Sequence, residues 1–399
     1  MPDTGPRDPS SRNPQERSLI LAARLFDGED LLDARAIEIA DGRIAAVHEP
    51  GLRPSGLKEL TLPQDAVLAP GFIDLQVNGG GGVLLNDAPT ADAIRRIAAA
   101  HRAFGTTGLL PTLITDAPER MRALALAAPE ALAVPGVLGF HLEGPFINPA
   151  RPGIHDPRFI RRPEADDLVL LERFGKFGRS LVTLAPELWS APDLRRLAAS
   201  GLTLCAGHSE AGADRMREAA AAGITGVTHL FNAMSQIGPR EPGLVGAALG
   251  LDKLRAGIIC DGVHVDPLNL ALAFRAMGPD RLMLVTDAMA LAASERDGFL
   301  LQGRPITLSE GRLTGPDGTL AGAHLTMIEA VRNARAMMGA SLEEALAMAS
   351  RTPARFLGLG ASHGRIAPGF AADLVAIDPD ARRVHGTAIA GQWQNGPAG

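Results

Sequence analysis

Tyrosine is absent from the 399 residues, tryptophan occurs twice, and aromatic side chains make up only 4%. Proteins that hold single-stranded nucleic acid by stacking need aromatic platforms, which this chain scarcely offers. A basic excess is missing too. The formal net charge is −6, so no electrostatic footprint for a nucleic acid is visible. The two cysteines, Cys205 and Cys260, are too few for a disulfide framework. Both sit in apolar runs, which favours a reducing cytoplasm. No stretch approaches the ~18 apolar residues of a membrane span, so no membrane partner is expected. Residues 1–17 are polar and proline-rich and lack the apolar core of a signal peptide. They read as a disordered leader.

The remaining sequence has ordinary globular composition, with 46% hydrophobic and 21% charged residues, which excludes a disordered or collagen-like chain. Residues 18–68 carry short apolar runs broken by turn signals, and Asp41-Gly42 between AIEI and RIAAV predicts a tight hairpin. From 69 to 362 the texture changes. Eight apolar strand candidates (GFIDLQV, GTTGLLPTLIT, GVLGFHLEG, SLVTLAPE, LTLCAGHS, GVTHLFNAM, AGIICDGVHV and RLMLVTDAM) alternate with helical stretches. One such stretch places Ile94, Ile97 and Phe104 on one face; another places Leu342, Leu346 and Ala349 together. Strands that are apolar throughout are buried on both faces, as parallel strands under helices must be. The pattern predicts an α/β fold, a (β/α)8 TIM-type barrel, better than an open sheet. After 362 the β texture returns, so residues 363–399 and 18–68 are expected to build one small β-sandwich domain from both chain ends.

Polar residues recur at the C-terminal ends of successive strand candidates: Glu143, His208, His229, His264 and Asp287. A lone histidine beside an apolar run is usually structural. In a barrel, however, these five ends converge on one mouth, where active sites form. A glutamate and two histidines suit a single Zn2+ or similar divalent ion and leave a position open for water. A free carboxylate must then take up and return a proton, and Asp287 is the best candidate, against the alternative of a salt-bridged strand end. GGGG at 79–82 could cradle phosphate but lacks the spacing of either phosphate-loop motif, so a plain turn competes with that reading. Arg240 in IGPREPG could hold an anion, although a loop arginine is often simply solvated.

At this point APGFIDLQVNGGGG, FHLEGPFIN, GIH, APE, GHS, THLFNAM, REPG, DGVHV, VTDAM and GTLAGAHLTM, in that order, resemble the N-acetylglucosamine-6-phosphate deacetylases of the amidohydrolase superfamily. The resemblance runs from about residue 18 to 390. It implies hydrolysis of the acetamide of N-acetylglucosamine 6-phosphate by a cytoplasmic homodimer carrying one divalent metal ion per subunit, Zn2+ before Fe2+ or another ion. It also implies Glu143, His208 and His229 as metal ligands, Asp287 as catalytic acid/base and His155 beside the substrate carbonyl. Ile154, Asn232, Ala233, Arg240, Asp261 and His264 would contact the sugar phosphate, in a site that the resemblance suggests is shared between subunits. Leu320, Ala321 and Gly322 would line the acetyl pocket. Two departures stand out. Gln76-Val77-Asn78 replaces the His-x-His that binds a second metal in many amidohydrolases, leaving at most a vestigial position. Ala323 follows LAG where serine is frequent. Three alternatives stay open: a deacetylase for another N-acetylhexosamine 6-phosphate such as the galactosamine epimer, a cyclic-amide or nucleobase amidohydrolase, and a non-catalytic binding protein on the same fold.

Overall fold

The computed structural model describes residues 17–397. The expected leader therefore lies almost wholly outside the described residues. The eight apolar runs form eight parallel strands, numbered here along the barrel: β1 (Phe72–Val77), β2 (Thr106–Ile114), β3 (His141–Glu143), β4 (Leu181–Leu184), β5 (Thr203–Ala206), β6 (Ile224–Val227), β7 (Arg255–Ile259) and β8 (Leu282–Val285). They hydrogen-bond in sequence order from β1 to β8. A parallel bridge from Val77 to Ala288 brings the last strand back to the first and closes the barrel. Every residue of β1 and of β2 is buried, the polar Asp74 and Gln76 of β1 included.

Helices cover the outside. Ala91–Arg102 starts at Thr90, whose side chain accepts from the Ala93 N–H, and buries Ile94 and Ile97. Leu342–Ala349 starts with a capping box between Ser341 and Glu344 and buries Leu342, Leu346 and Ala349. Phe104 lies just past its helix and packs partly buried against the barrel core.

The two chain ends share one antiparallel-rich sheet. Its order is Gln392–Asn395, Val384–Ile389, Leu374–Ile377, Val67–Pro70, Ser18–Phe26, Leu31–Ala40 and Arg43–His48, with Lys58–Thr61 pairing alongside Ser18–Phe26. Leu374–Ile377 runs antiparallel to Val67–Pro70, so the junction between the halves is a strand ladder. This sheet has its own core around Ile20, Leu25, Ile37 and Leu374. Asp41 and Gly42 turn the hairpin with φ of 51° and 73°, the double positive φ that a two-residue turn of matching twist requires.

One element has no counterpart in the reading of the sequence. Between β8 and the last helices, residues Gly298–Leu301, Arg304–Ser309, Arg312–Thr314 and Leu320–Ala323 form a four-stranded antiparallel sheet. Its buried side, with Leu301, Ile306 and Leu313, packs on Leu84, Met289 and Leu291 beside the barrel mouth.

Candidate metal centre and active site

Glu143 ends β3, His208 and His229 follow β5 and β6 by two residues each, and Asp287 follows β8 by two. His208, His229 and Asp287 all take a left-handed backbone, with φ of 49°, 31° and 51°. That turn aims each side chain back over the barrel axis at a cost of about 1 kcal/mol or more per residue, typical of functional positions. The ligand atoms of Glu143, His208 and His229 lie within 4.8 Å of one another, and all three residues are buried.

The donor set fits a cation. His208 Nδ1 lies 2.8 Å from the Arg151 carbonyl, which accepts only, so the proton sits on Nδ1 and a lone pair on Nε2. That lone pair faces Glu143 Oε1 at 3.2 Å and His229 Nε2 at 3.0 Å. His229 Nε2 is in turn 2.8 Å from the same carboxylate oxygen. Three electron-rich atoms converging on one buried point need a positive charge between them, and two imidazoles with one carboxylate suit a borderline divalent ion. Burial would raise the Glu143 carboxyl, but the two histidines beside it hold it well below the usual range. Burial would likewise lower His229, yet the adjacent Glu143 carboxylate raises it on balance, because it favours positive charge at this point.

Gln76 and Asn78 stand where His-x-His would be, and they act as donors. Gln76 Nε2 reaches both oxygens of Glu143 at 3.1 Å and Asp287 Oδ1 at 3.0 Å. Asn78 Nδ2 reaches the same Asp287 oxygen at 2.6 Å. Among the described residues no hydrogen bond reaches Asp287 Oδ2, which leaves that atom to the pocket. Burial first, then the Glu143 charge, pushes the Asp287 carboxyl up to about 6. Behind it, Asp74 of β1 accepts from Thr286, with 2.5 Å between Oδ2 and Thr286 Oγ1, and is pushed up to about 7 by burial.

These groups open into a pocket of about 230 Å3 lined by Asn78, Glu143, Ile154, His155, His208, His229, Asn232, Ala233, His264, Asp287, Leu320 and Gly322. Ile114, Gly153, Ile259, Met289 and Thr319 complete the wall, and the sequence reading named none of these five as a site residue. Leu320 and Gly322 come from the last strand of the inserted sheet and Thr319 from the turn just before it, so this element roofs the mouth. His155 Nε2 lies 3.9 Å from Glu143 Oε2. Burial, then the neighbouring His208, pushes its imidazole down to about 3, so it is neutral. His264 is held through Nδ1 by Asp261 at 2.6 Å, which leaves Nε2 toward the pocket. Asp261 does not line the pocket itself. Its carboxyl stays below the usual range because hydrogen bonds from His264 outweigh its burial.

Three residues or segments singled out from the sequence lie elsewhere. Arg240 is exposed in the loop after β6 and is absent from the pocket wall. Ala321 is fully buried, turned away into the core under the inserted sheet. The GGGG segment forms a small hairpin, Gly79–Gly80 with Val83–Leu84. The N–H groups of Gly79, Gly81 and Gly82 donate to the carbonyls of Ala288, Ala292 and Ala290, so they offer no cradle for phosphate, and the plain-turn reading holds. His141 proves structural: its Nε2 meets Thr183 Oγ1 at 2.7 Å beneath the site. Glu187 of the APE motif binds Asn148 Nδ2 and the Glu210 N–H, each at 2.8 Å, and Ser209 Oγ at 2.6 Å, which fastens the loop beyond His208. A cavity of about 260 Å3 between the helices Pro118–Ala131 and Ala165–Phe174, lined by Arg122, Arg161, Asp166 and Arg173, holds no such convergent set.

Among known proteins, the amidohydrolase family model matches residues 67–397. The N-acetylgalactosamine-6-phosphate deacetylase of Shewanella sp. (strain ANA-3) is 41% identical over 93% of this chain and 94% of its own length. The human N-acetylglucosamine-6-phosphate deacetylase is 39% identical over 82% of this chain and 84% of its own. The crystal structure of N-acetylglucosamine-6-phosphate deacetylase from Pasteurella multocida is similar with a TM-score of 0.91 at 34% identity, covering 95% of this chain and 100% of that one.

Proposed function

Because the chain belongs to the amidohydrolase family, we propose that it hydrolyses the acetamide of N-acetylglucosamine 6-phosphate to glucosamine 6-phosphate and acetate. The observation that carries this reading is the joint placement of a buried Glu-His-His triad, a free carboxylate oxygen on Asp287 and a neutral His155 in one pocket. Glu143, His208 and His229 would hold a divalent ion, Zn2+ by the chemistry of the set, which would supply an activated water and polarise the carbonyl.

The chain's own residues do the rest. Asp287 Oδ2 takes a proton from the attacking water and returns it to the departing nitrogen, while Gln76 and Asn78 pin Oδ1 and fix the carboxylate plane. His155 Nε2 donates to the carbonyl oxygen as charge builds there. His264, braced by Asp261, and the backbone around Asn232 and Ala233 bind the far end of the substrate and orient the amide. The two amide donors between Glu143 and Asp287 occupy the place of a second ion, which favours one metal per subunit.

Arg240, exposed and without an ion pair among the described residues, supports a shared site. In a homodimer it would reach the phosphate bound by a second copy, and Ile237 beside it, 54% exposed, would be covered. No helix among the described residues is long and apolar enough to cross a membrane. Two free buried thiols agree with a cytoplasmic setting.

Acetate release from N-acetylglucosamine 6-phosphate and from its galactosamine epimer, side by side, tests the assignment. A kcat/KM favouring the glucosamine compound supports it. Preference for the epimer moves the enzyme to the activity named for the Shewanella relative, and no release from either removes the deacetylase reading.

A further inference from the structure

Thr115 has no part in the chemistry above, yet its hydroxyl touches the one imidazole whose proton position decides whether that chemistry works. The residue follows the last position of β2 and is 1% exposed. Its Oγ1 lies 2.7 Å from His155 Nδ1 and 3.3 Å from the Glu143 carbonyl oxygen. A threonine hydroxyl carries one proton and two lone pairs, so it donates to one of these neighbours only. A neutral imidazole likewise carries one proton. The network thus has two states. In one, Nδ1–H donates to Thr115, the hydroxyl donates to Glu143, and Nε2 is bare. In the other, Thr115 donates to Nδ1 and the ring proton sits on Nε2.

Geometry separates the two. The state with Nδ1–H requires the hydroxyl to donate to the Glu143 carbonyl, and 3.3 Å is long for an O–H donor, whereas the 2.7 Å contact to Nδ1 accommodates the hydroxyl proton. Nε2 faces Glu143 Oε2 at 3.9 Å, where a bare lone pair would meet a carboxylate and an N–H would be attracted to it. The hydroxyl is also held in place from two sides. Gln302 of the inserted sheet donates to the Thr115 carbonyl at 2.8 Å. Gly144, with φ of 81°, packs so close that a Cβ there would collide with Thr115 Oγ1. The glycine of HLEGPF therefore makes room for this hydroxyl, in addition to turning the chain.

We propose that Thr115 is a positioning residue that sets the tautomer of His155, donating to Nδ1 so that Nε2–H points at the reacting carbonyl oxygen. The inference rests on the role given to His155 in the deacetylase reading. It adds the reason that a buried, neutral imidazole can act there as a donor. Without the hydroxyl, the ring is free to take either tautomer, and only one of them stabilises the developing oxyanion.

The test uses zinc-loaded enzyme labelled with 15N-histidine. In the wild type, the His155 signals, assigned with His155→Gln, should show a protonated Nε2 and an unprotonated Nδ1. Thr115→Val, which keeps the shape and removes the hydroxyl, should lower kcat by roughly 10²-fold with KM and zinc content nearly unchanged. Thr115→Ser should restore most of the rate. A wild-type spectrum with the proton on Nδ1 overturns the proposal, as does a Thr115→Val enzyme with normal kcat. If Thr115→Val fails to fold, the wild-type spectrum and the serine variant still decide. Should the enzyme release no acetate from either hexosamine phosphate, the deacetylase reading fails, while the 15N signals still report whether Thr115 sets the tautomer.

Discussion

Asn78 donates from Nδ2 to Asp287 Oδ1 across 2.6 Å, tying the end of the first barrel strand to the end of the eighth. With Gln76, which bridges Glu143 and Asp287, it presents amide N–H groups where a second cation would need lone pairs. Purified protein should therefore contain one equivalent of divalent metal per chain by elemental analysis. Two equivalents, both required for turnover, would show that the amides rotate to ligate.

Asp287→Asn should keep the fold and the metal but lose about 10³-fold or more in kcat, because a carboxamide cannot carry the proton from water to nitrogen. His208→Ala and His229→Ala should instead lose metal and activity together. Metal content measured alongside rate separates the two classes. An Asp287→Asn enzyme turning over near the normal rate would remove the residue from the mechanism.

Asp74 gives a pH signature away from the chemistry. Its folded carboxyl is raised by burial to about 7, whereas an unfolded aspartate titrates near ~3.9. The folded state thus holds a proton the unfolded state has lost. The stability linked to that proton is complete below pH ~4 and disappears as the pH rises through about 7. The substitution Asp74→Asn keeps an acceptor oxygen toward Thr286 and removes the titration. Melting of the metal-loaded proteins should show the wild type losing several degrees more than Asp74→Asn between pH 5 and 8. Parallel curves would mean that Asp74 is already ionised in the fold at pH 5.

Arg240→Ala should impair use of the 6-phosphate substrate far more than that of unphosphorylated N-acetylglucosamine, since a guanidinium is the natural clamp for a dianion. An equal fall for both would place the phosphate site elsewhere. Sedimentation adds the second half of the test. A strictly monomeric preparation with full activity would end the shared-site idea and leave the deacetylase reading standing.

The barrel was legible because burial on both faces leaves mostly apolar runs, with polar residues such as Asp74 and Gln76 as the exceptions, and all eight runs became strands. The buried cluster of Glu143, His208 and His229 was legible for a related reason. Strand ends share one mouth, so Glu143, His208 and His229 needed no neighbours in sequence to meet in space. The inserted sheet was hidden because its strands are short and half-exposed, with Arg304, Glu310 and Arg312 interrupting any pattern. Thr115 was passed over for the opposite reason: threonine is common in strands, and PTLIT reads as plain β structure until His155 is folded against it. Arg240 was found by its motif, but its distance from the pocket could come only from the structure.

The ladder between Val67–Pro70 and Leu374–Ile377 has a consequence in time as well as in space. Roughly 300 residues separate the two strands, and a ribosome adding about 5–20 residues per second needs at least about 15 s to supply the second. Through that interval the first half of the sheet has emerged with one edge unpaired, an invitation to the same edge on a neighbouring nascent chain. The barrel between them is a continuous run of local βα units and can form while the edge waits. Slow or stalled translation beyond residue 300 should therefore harm this protein through the small sheet first, however sound its catalytic barrel.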